Sequence, residues 1–162
     1  MRQPQAAFGE LWERHSASVY RFALFLSGDP SEAEDITSET FLRVWSTRDR
    51  LQLQTVRAYL LAIARNLYLQ GQRKAWRIRP LEEALEPVRE GSAEKRVELH
   101  ELMTALRELT ELDRTLLLLR AEDGLSYDEL ARVVNLPLAT VKVRIHRARL
   151  RLAELCGRSV GA

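Results

Sequence analysis

The segment Ser126–Leu152 has the residue pattern of two short helices joined by a tight turn. Ser126 and Glu129 have the spacing of a capping box, which predicts that a helix begins there. Leu125 and Leu130 lie at the two positions of a hydrophobic staple around the same helix start. The segment is therefore predicted to fold as two helices joined by a tight turn.

A second helix is predicted from about Thr140, after a break at residues 135–137. Its apolar residues recur at three- and four-residue spacing and form one stripe that we expect to be buried: Val141, Ile145, Ala148, Leu152 and Leu155. The other residues are basic or small, and they include Lys142, Val143, His146 and Arg147. Such a helix fits the major groove of DNA, where cations neutralise phosphates and a few side chains reach base edges. A cationic helix that is merely solvated is the alternative, but the capped first helix and the short turn favour a DNA-binding helix-turn-helix.

Length and composition set the class of protein. The chain has 162 residues, enough for one domain or two small ones, and it is 46% hydrophobic and 30% charged. It has no apolar run that could span a bilayer and no signal-peptide pattern, so we expect a cytoplasmic protein with no membrane partner. Cys156 is the single cysteine and the three histidines lie far apart, which predicts neither a disulfide nor a metal site.

The net charge of +2 is unevenly distributed along the chain. Six basic residues and no acidic one lie between Arg57 and Arg79, and a second basic cluster follows Thr140. Acidic residues are concentrated between the two clusters: Glu82, Glu83, Glu86, Glu90, Glu94, Glu98 and Glu101. We therefore predict an all-α protein with two small helical domains, 1–76 and 96–162, joined by an acidic flexible linker at 77–95 that phosphates repel.

The N-terminal domain is predicted to be a helical bundle. A first helix carries one apolar face and ends at Gly28; the face consists of Phe8, Leu11, Trp12, His15, Val19, Phe22 and Leu26. We interpret His15 as a core or boundary residue. Ser31 and Glu34 have capping-box spacing, which predicts a second helix from Ser31 to about Trp45.

The second helix has more large apolar and acidic residues than one buried face requires. Its core side is predicted to be Ala33, Ile36, Thr40 and Val44, which leaves Glu34, Asp35, Ser38, Glu39, Phe41, Leu42 and Trp45 on the remaining faces. A partner protein could dock on these residues. Alternatively, Phe41 and Trp45 pack against a neighbouring helix, and periodicity does not decide between the two possibilities.

A third helix is predicted from a cap at Thr55 to about Ala75, after a polar, irregular stretch at 47–55. Its buried side is expected to be Val56, Tyr59, Leu60, Ile63 and Leu67. One edge combines aromatic, amide and cationic groups, the mixture that stacks and hydrogen-bonds unpaired bases: Tyr59, Asn66, Arg73 and Lys74. Composition alone, however, favours an ordinary basic surface.

The order of these segments resembles the small bacterial sigma factors of the extracytoplasmic-function (ECF) group over nearly the whole chain. FGELWERHSASVYRFALFLSGDPSEAEDITSETFLRVW is similar to region two of that group, up to and including its polymerase-binding helix. AYLLAIARNLYLQGQRK resembles the helix that recognises the minus-10 element. LLLLRAEDGLSYDELARVVNLPLATVKVRIHRARLRL resembles region four, whose last helix recognises the minus-35 element.

The resemblance implies a role for each segment. The chain would bind core RNA polymerase at two places, the clamp helices of the largest subunit and the flap region. The residues that would contact the clamp helices are Asp35, Glu39, Phe41, Leu42 and Trp45. Asn66 would lie near the flipped base of the minus-10 element, on a helix with Tyr59, Arg73 and Lys74. The minus-35 major groove would face Lys142, Val143, His146 and Arg147, with Arg120 and Tyr127 on phosphates. Promoter DNA is thus an implied partner, an anti-sigma factor is left open, and no cofactor is implied.

The chain departs from the family pattern at four positions. The family commonly has Gln at Ser38, Trp at Tyr59, Asp at Gln70 and Ser at Val143. These changes leave the fold and general role in place, but the promoter sequence does not carry over. Val143 would suit a thymine methyl group rather than a hydrogen bond.

A promoter-recognition subunit of RNA polymerase that is not an enzyme is the function we expect. The sequence contains no glycine-rich phosphate loop and no catalytic constellation. The alternative is a stand-alone helix-turn-helix regulator that occupies an operator. Such regulators usually dimerise on two half-sites, whereas two different basic modules favour one asymmetric site.

Overall fold

The computed structural model describes residues 4–46, 56–74 and 93–160, and over these ranges the chain forms seven α-helices and no strand. The helices are α1 (Pro4–Ser27), α2 (Pro30–Ser46), α3 (Val56–Lys74), α4 (Ala93–Glu108), α5 (Glu111–Ala121), α6 (Tyr127–Val134) and α7 (Leu138–Val160). They divide into two compact units, Met1–Arg77 and Ile78–Ala162. The predicted all-α class with two helical units is confirmed. The irregular stretch at 47–55, its cap at Thr55 and most of the predicted linker lie outside the described residues, although α4 already begins at Ala93.

The first unit is a three-helix bundle in which each of α1, α2 and α3 contacts the other two. Its core contains Val19, Phe22 and Leu26 of α1, as the periodicity predicted, together with buried side chains of α2 and α3: Ile36, Phe41, Val44, Leu60, Leu61 and Ala64. Each large apolar side chain buried in this way contributes about 1.5–3 kcal/mol. Trp12 was also predicted on the buried face of α1, but it is 41% exposed, so that part of the prediction is wrong.

The turn between α1 and α2 differs from the predicted capping box. Gly28 adopts φ 70°, and its N–H donates to the Leu24 carbonyl at 2.7 Å, which ends α1. The carboxylate of Asp29 accepts from the N–H groups of Ser31 and Glu32 at 3.0 and 3.5 Å. Asp29 is therefore the N-cap of α2, and the prediction that Ser31 opens this helix is wrong. Pro30 explains the earlier start, because proline at the first helical position leaves no N–H unsatisfied and has helical φ already set.

The third helix buries a face that only partly matches the prediction. Val56 and Leu60 are buried as expected, and Leu61, Ala64 and Tyr68 join them. Tyr59, which was predicted on this face, is 40% exposed. Two sets of apolar residues at three- and four-residue spacing overlap on this helix. The set that contains Leu61, Ala64 and Tyr68 packs against α1 and α2, and Tyr59 belongs to the other set.

His15 lies half-buried at the edge of the first unit, in agreement with its interpretation as a core or boundary residue. Burial lowers its pKa from 6.5, and the positive charges of Arg14 and Arg57 lower it further. The neutral imidazole is thus the form that the folded unit favours.

The second unit is organised around α7, which contacts α4, α5 and α6. Its core consists of buried apolar side chains from these helices: Met103, Leu106, Leu116, Leu119, Leu125, Leu130, Val141, Ile145 and Ala148. Thr110 caps α5 by accepting from the N–H of Asp113 at 3.2 Å. Across the described ranges, none of the helices has the length and apolar character needed to cross a membrane. The same residues contain no group of histidine, cysteine and acidic side chains suited to a metal ion.

Candidate nucleic-acid and polymerase interfaces

The helix-turn-helix forms as its sequence predicts. Ser126 Oγ accepts from the N–H of Glu129 at 3.1 Å, and Glu129 Oε1 accepts from the N–H of Ser126 at 3.0 Å. Leu125 and Leu130 of the staple are 2% and 0% exposed. Asn135 closes α6 in the left-handed conformation, with φ 56° and ψ 51°. Asparagine tolerates this conformation better than most residues. The turn thereby fixes the position of α7 relative to α6.

One face of α7 is buried and the opposite face is exposed. Val141, Ile145 and Ala148 are at most 1% exposed, which confirms the predicted stripe over the first half of the helix. Leu152 and Leu155, predicted on the same stripe, are only half-buried. The helix begins at Leu138, two residues before the predicted start near Thr140. The predicted minus-35 residues Lys142, Val143, His146 and Arg147 are all exposed. We call these four residues the α7 outer face; it presents two cations, an imidazole and an apolar side chain to solvent.

Two other arginines of α7 are engaged by acidic side chains. Arg144 Nη1 lies 3.1 Å from Asp113 Oδ1 on α5, and Arg151 Nη1 lies 3.4 Å from Glu154 Oε2. In the sequence both arginines lie off the buried stripe, among the other basic residues of this helix. Asp113 is a partner that the pattern could not identify, because it lies 31 residues before Arg144.

Arg120 and Tyr127, the predicted phosphate contacts, lie against one another. Arg120 Nη1 donates to the Leu125 carbonyl at 2.8 Å, and its guanidinium carbon lies 4.6 Å from the centre of the Tyr127 ring. Lys142 Nζ lies 5.9 Å from the centre of the same ring. The structure therefore connects two predicted phosphate contacts with a residue of the α7 outer face.

The predicted minus-10 residues lie along α3. Tyr59 and Asn66 are both exposed, and they are spaced seven residues apart, about two helical turns, which puts them on the same side of α3. Position 73 follows at the same interval. The helix extends through Arg73 and Lys74, but their side chains lie outside the described part of the chain.

The predicted polymerase-binding residues of α2 fall into two groups. Asp35, Glu39 and Leu42 are exposed, and among the large apolar side chains that the structure describes Leu42 is the most accessible, at 61%. Glu39 Oε1 accepts from Arg43 Nε at 3.4 Å, one turn along the helix. These three residues form a solvent-facing surface in which an apolar side chain is flanked by acidic ones; we call it the α2 outer face.

Phe41 and Trp45 belong instead to an aromatic cluster between α1 and α2. Phe41 is 1% exposed, and its ring centroid lies 4.7 Å from that of Trp12 in an edge-to-face arrangement. The Phe8 centroid lies 4.9 Å from that of Trp45, which is half-buried. The ring of Phe41 is enclosed by α1 and α2 and is not presented to solvent, as a direct polymerase contact would require. The alternative, packing against a neighbouring helix, is the one that the structure supports.

Two family models match the chain. The model of Sigma-70 region 2 matches residues 11–78, and that of Sigma-70, region 4 matches residues 99–152. The first match includes α2 and α3, and the second includes the helix-turn-helix.

Curated relatives specify the group within the sigma factors. ECF RNA polymerase sigma factor SigE of Mycolicibacterium smegmatis is 35% identical in an alignment that covers 91% of this chain and 61% of that relative. EcfG of Rhodopseudomonas palustris is 33% identical over 85% of this chain and 78% of its own length. SigL of Mycobacterium tuberculosis is 31% identical over 90% of this chain and 88% of its own length. The chain belongs to the ECF RNA polymerase sigma factors. The resemblance found in the sequence is thereby confirmed.

Solved structures show the same fold. The sigma factor RpoE, in complex with the anti-sigma factor NepR from Bartonella quintana, has a TM-score of 0.79 and 26% identity, covering 92% of this chain and 96% of that one. CnrH, in complex with the cytosolic domain of CnrY, has a TM-score of 0.73 and 28% identity, covering 95% of this chain and 90% of that one. Fold and sequence alike are those of a transcription initiation factor of the sigma type.

Proposed function

We propose that this ECF sigma factor binds core RNA polymerase, directs it to promoters and is not itself an enzyme. The observation that carries the proposal is the α7 outer face: four exposed residues suited to a major groove, directly opposite Val141, Ile145 and Ala148, which are at most 1% exposed. We assign residues 1–76 to region two, 77–95 to the linker and 96–162 to region four. The working compartment of such a subunit is the cytoplasm.

Dependence on core polymerase tests this function against operator binding by the free chain. A small sigma factor recognises much of its minus-10 element as unpaired bases, and it supplies limited energy for opening duplex DNA. The free chain should therefore bind promoter duplex weakly and with steep salt dependence, and core polymerase should confer tight, specific binding. Gel shifts with and without core polymerase measure this. Strong sequence-specific binding by the chain alone, unchanged by the polymerase, would favour the operator-binding alternative.

The α7 outer face is assigned to the minus-35 element, with Arg147 as the test residue. Arg147→Ala should weaken the recognition of a good minus-35 element by about 1–3 kcal/mol, the value of a polar base contact, and should reduce transcription from such promoters accordingly. Arg151→Ala is the matched control, since Arg151 is an exposed arginine of the same helix that already pairs with Glu154. In vitro transcription with purified holoenzyme compares the two, and equal losses would contradict the assignment.

Asn66 is assigned to a flipped base of the minus-10 element, beside Tyr59 and the basic end of α3. Its amide offers a donor and an acceptor to a base edge without general attraction to phosphates. Asn66→Ala should therefore flatten the preference at one minus-10 position, at a cost of about 1–3 kcal/mol for the preferred base. Arg73→Ala should instead weaken all promoters alike and lower the salt slope by about one unit. Transcription from promoters randomised over the minus-10 element distinguishes these outcomes.

Core binding is assigned to the α2 outer face, Asp35, Glu39 and Leu42, facing the clamp helices of the largest polymerase subunit. Trp45 borders this surface through its half-buried ring. The family resemblance adds the flap region of the polymerase as a second contact. An exposed apolar residue flanked by charges is the composition expected at the centre and rim of a protein interface.

An anti-sigma factor is a further proposed partner of this chain. Both structural neighbours were solved as complexes, RpoE with the anti-sigma factor NepR and CnrH with the cytosolic domain of CnrY. Such a partner should compete with core polymerase for the α2 outer face. Competition binding with labelled core polymerase would reveal this, and simultaneous binding of both proteins would contradict it.

A further inference from the structure

The ring of Tyr127 connects three helices on the outer side of the helix-turn-helix. Tyr127 is the first residue of α6, and its ring is approached by cations from two other helices. Arg120 comes from the last turn of α5, with its guanidinium carbon 4.6 Å from the ring centre. Lys142 comes from the second turn of α7, with Nζ 5.9 Å from the same point. Both distances lie within the range in which a cation is attracted by an aromatic ring.

Arg120 is held by the protein as well as by the ring. Its Nη1 donates to the carbonyl of Leu125 at 2.8 Å, and Leu125 is 2% exposed. This hydrogen bond fixes the guanidinium, and the guanidinium in turn supports the ring from α5. Two of the residues that the family resemblance placed on phosphates thus have contacts with each other and with the protein backbone.

Lys142 is the most exposed of these three residues. Its side chain is exposed, and within the described part of the chain it makes no ion pair, whereas Arg144 and Arg151 of the same helix each have one. A free lysine loses much rotamer freedom when it binds DNA, and a contact that restricts it beforehand reduces that loss. The Tyr127 ring, 5.9 Å from Lys142 Nζ, can supply such a restriction.

We propose that Tyr127 is a positioning residue whose ring, rather than its hydroxyl group, holds the ammonium group of Lys142 in place for the minus-35 DNA. The proposal rests on the proposed function of the α7 outer face. It gives the residue a role different from a simple phosphate contact, because a phosphate contact would depend on the hydroxyl. The ring of phenylalanine attracts cations as well, so Tyr127→Phe separates the two roles.

The test uses holoenzyme assembled from the full chain and core polymerase. Its affinity for a promoter with a good minus-35 element is measured for wild type, Tyr127→Phe, Tyr127→Leu, Lys142→Ala and the double variant Tyr127→Leu/Lys142→Ala. Tyr127→Phe should match wild type, and Tyr127→Leu should weaken binding about two- to fivefold, the effect of an exposed cation–π contact. The double variant should bind no more weakly than Lys142→Ala, because the ring then has no lysine to position. A promoter with a scrambled minus-35 element is the control, and on it the tyrosine variants should equal wild type.

A second measurement is independent of DNA and of the stability of the leucine variant. In the NMR spectrum of the full chain, the terminal methylene protons of Lys142 should be shifted by the ring current of Tyr127, and Tyr127→Phe should keep that shift. Absence of the shift in wild type would overturn the proposal. It would also be overturned if Tyr127→Phe lost as much affinity as Tyr127→Leu, or if Tyr127→Leu cost the same with and without Lys142. If Lys142→Ala and Arg147→Ala both left minus-35 promoters unaffected, the proposed function itself would fail, which is a different result.

Discussion

Phe41 and Leu42 are neighbours on α2, and the structure predicts opposite consequences for replacing them with alanine. Phe41 is 1% exposed and lies in the aromatic cluster, whereas Leu42 is 61% exposed on the α2 outer face. Phe41→Ala should therefore damage folding, and Leu42→Ala should damage binding to core polymerase. The two variants therefore distinguish a residue that stabilises the core from an adjacent residue that contacts the polymerase.

The magnitudes follow from burial. Truncation of a buried phenylalanine to alanine costs about 3–5 kcal/mol, a large part of the roughly 5–15 kcal/mol that stabilises an ordinary domain. Leu42→Ala should change the free energy of unfolding by less than about 0.5 kcal/mol, since the side chain is already in water. If polymerase covers Leu42, the lost apolar contact is about 1–2 kcal/mol, which weakens core binding roughly 5- to 30-fold.

Thermal melts of the free chain and affinity measurements with labelled core polymerase check both predictions. Leu150→Ala is the matched control, because Leu150 is 57% exposed and lies on α7. The same truncation there should leave the affinity for core polymerase unchanged. The reasoning would be refuted if Leu42→Ala bound core polymerase like wild type, or if Phe41→Ala melted like wild type.

Three further predictions concern stability, and denaturant or thermal unfolding measures each. Gly9→Ala should stabilise the first unit by about 0.8–1 kcal/mol, because no atom lies within 4 Å of an added Cβ, whereas Gly28→Ala should destabilise it by about 1–2 kcal/mol at φ 70°. Ser126→Ala should cost about 1 kcal/mol through loss of the capping box, while Ser31→Ala should be nearly neutral because Asp29 caps α2; equal costs would contradict this. The folded-state pKa of His15 is lowered, so its contribution to stability is present above pH 6.5 and is lost as pH falls through the folded pKa; His15→Gln should reduce that loss, and an unchanged pH profile would contradict it.

The elements that could be predicted from the sequence are those whose signals are local. The capping box at Ser126 and Glu129 depends on residues three apart, and the buried stripe of α7 depends on residues three and four apart. Each signal is complete within one or two helical turns. For the same reason the exposure of the α7 outer face could be predicted, since it is the complement of that stripe.

The incorrect predictions of burial depend on contacts between residues distant in sequence, whereas the error at Ser31 was local, because Asp29 and Pro30 begin α2 earlier. Phe41 lies off the main stripe of α2, and its ring contacts with Phe8 and Trp12 of α1 show that a helix of the same chain covers it. Tyr59 and Leu61 both fit a helical period, and the neighbouring helices decide which is buried. Helical periodicity identifies how many faces a helix can bury, but it does not identify what covers each face.

The same distinction explains which cations of α7 are available to DNA. Arg144 has the charge that a phosphate contact requires, yet its guanidinium is directed to Asp113 on α5 at 3.1 Å. A partly exposed pair of this kind contributes only about 0–1 kcal/mol to stability, so its main effect is on orientation. It joins α7 to α5 on one side, while the contact of Lys142 with the Tyr127 ring joins α7 to α6 on another. Arg144 thus anchors α7 within its own unit, while Lys142 and Arg147 stay exposed on the α7 outer face, where we propose that promoter DNA binds.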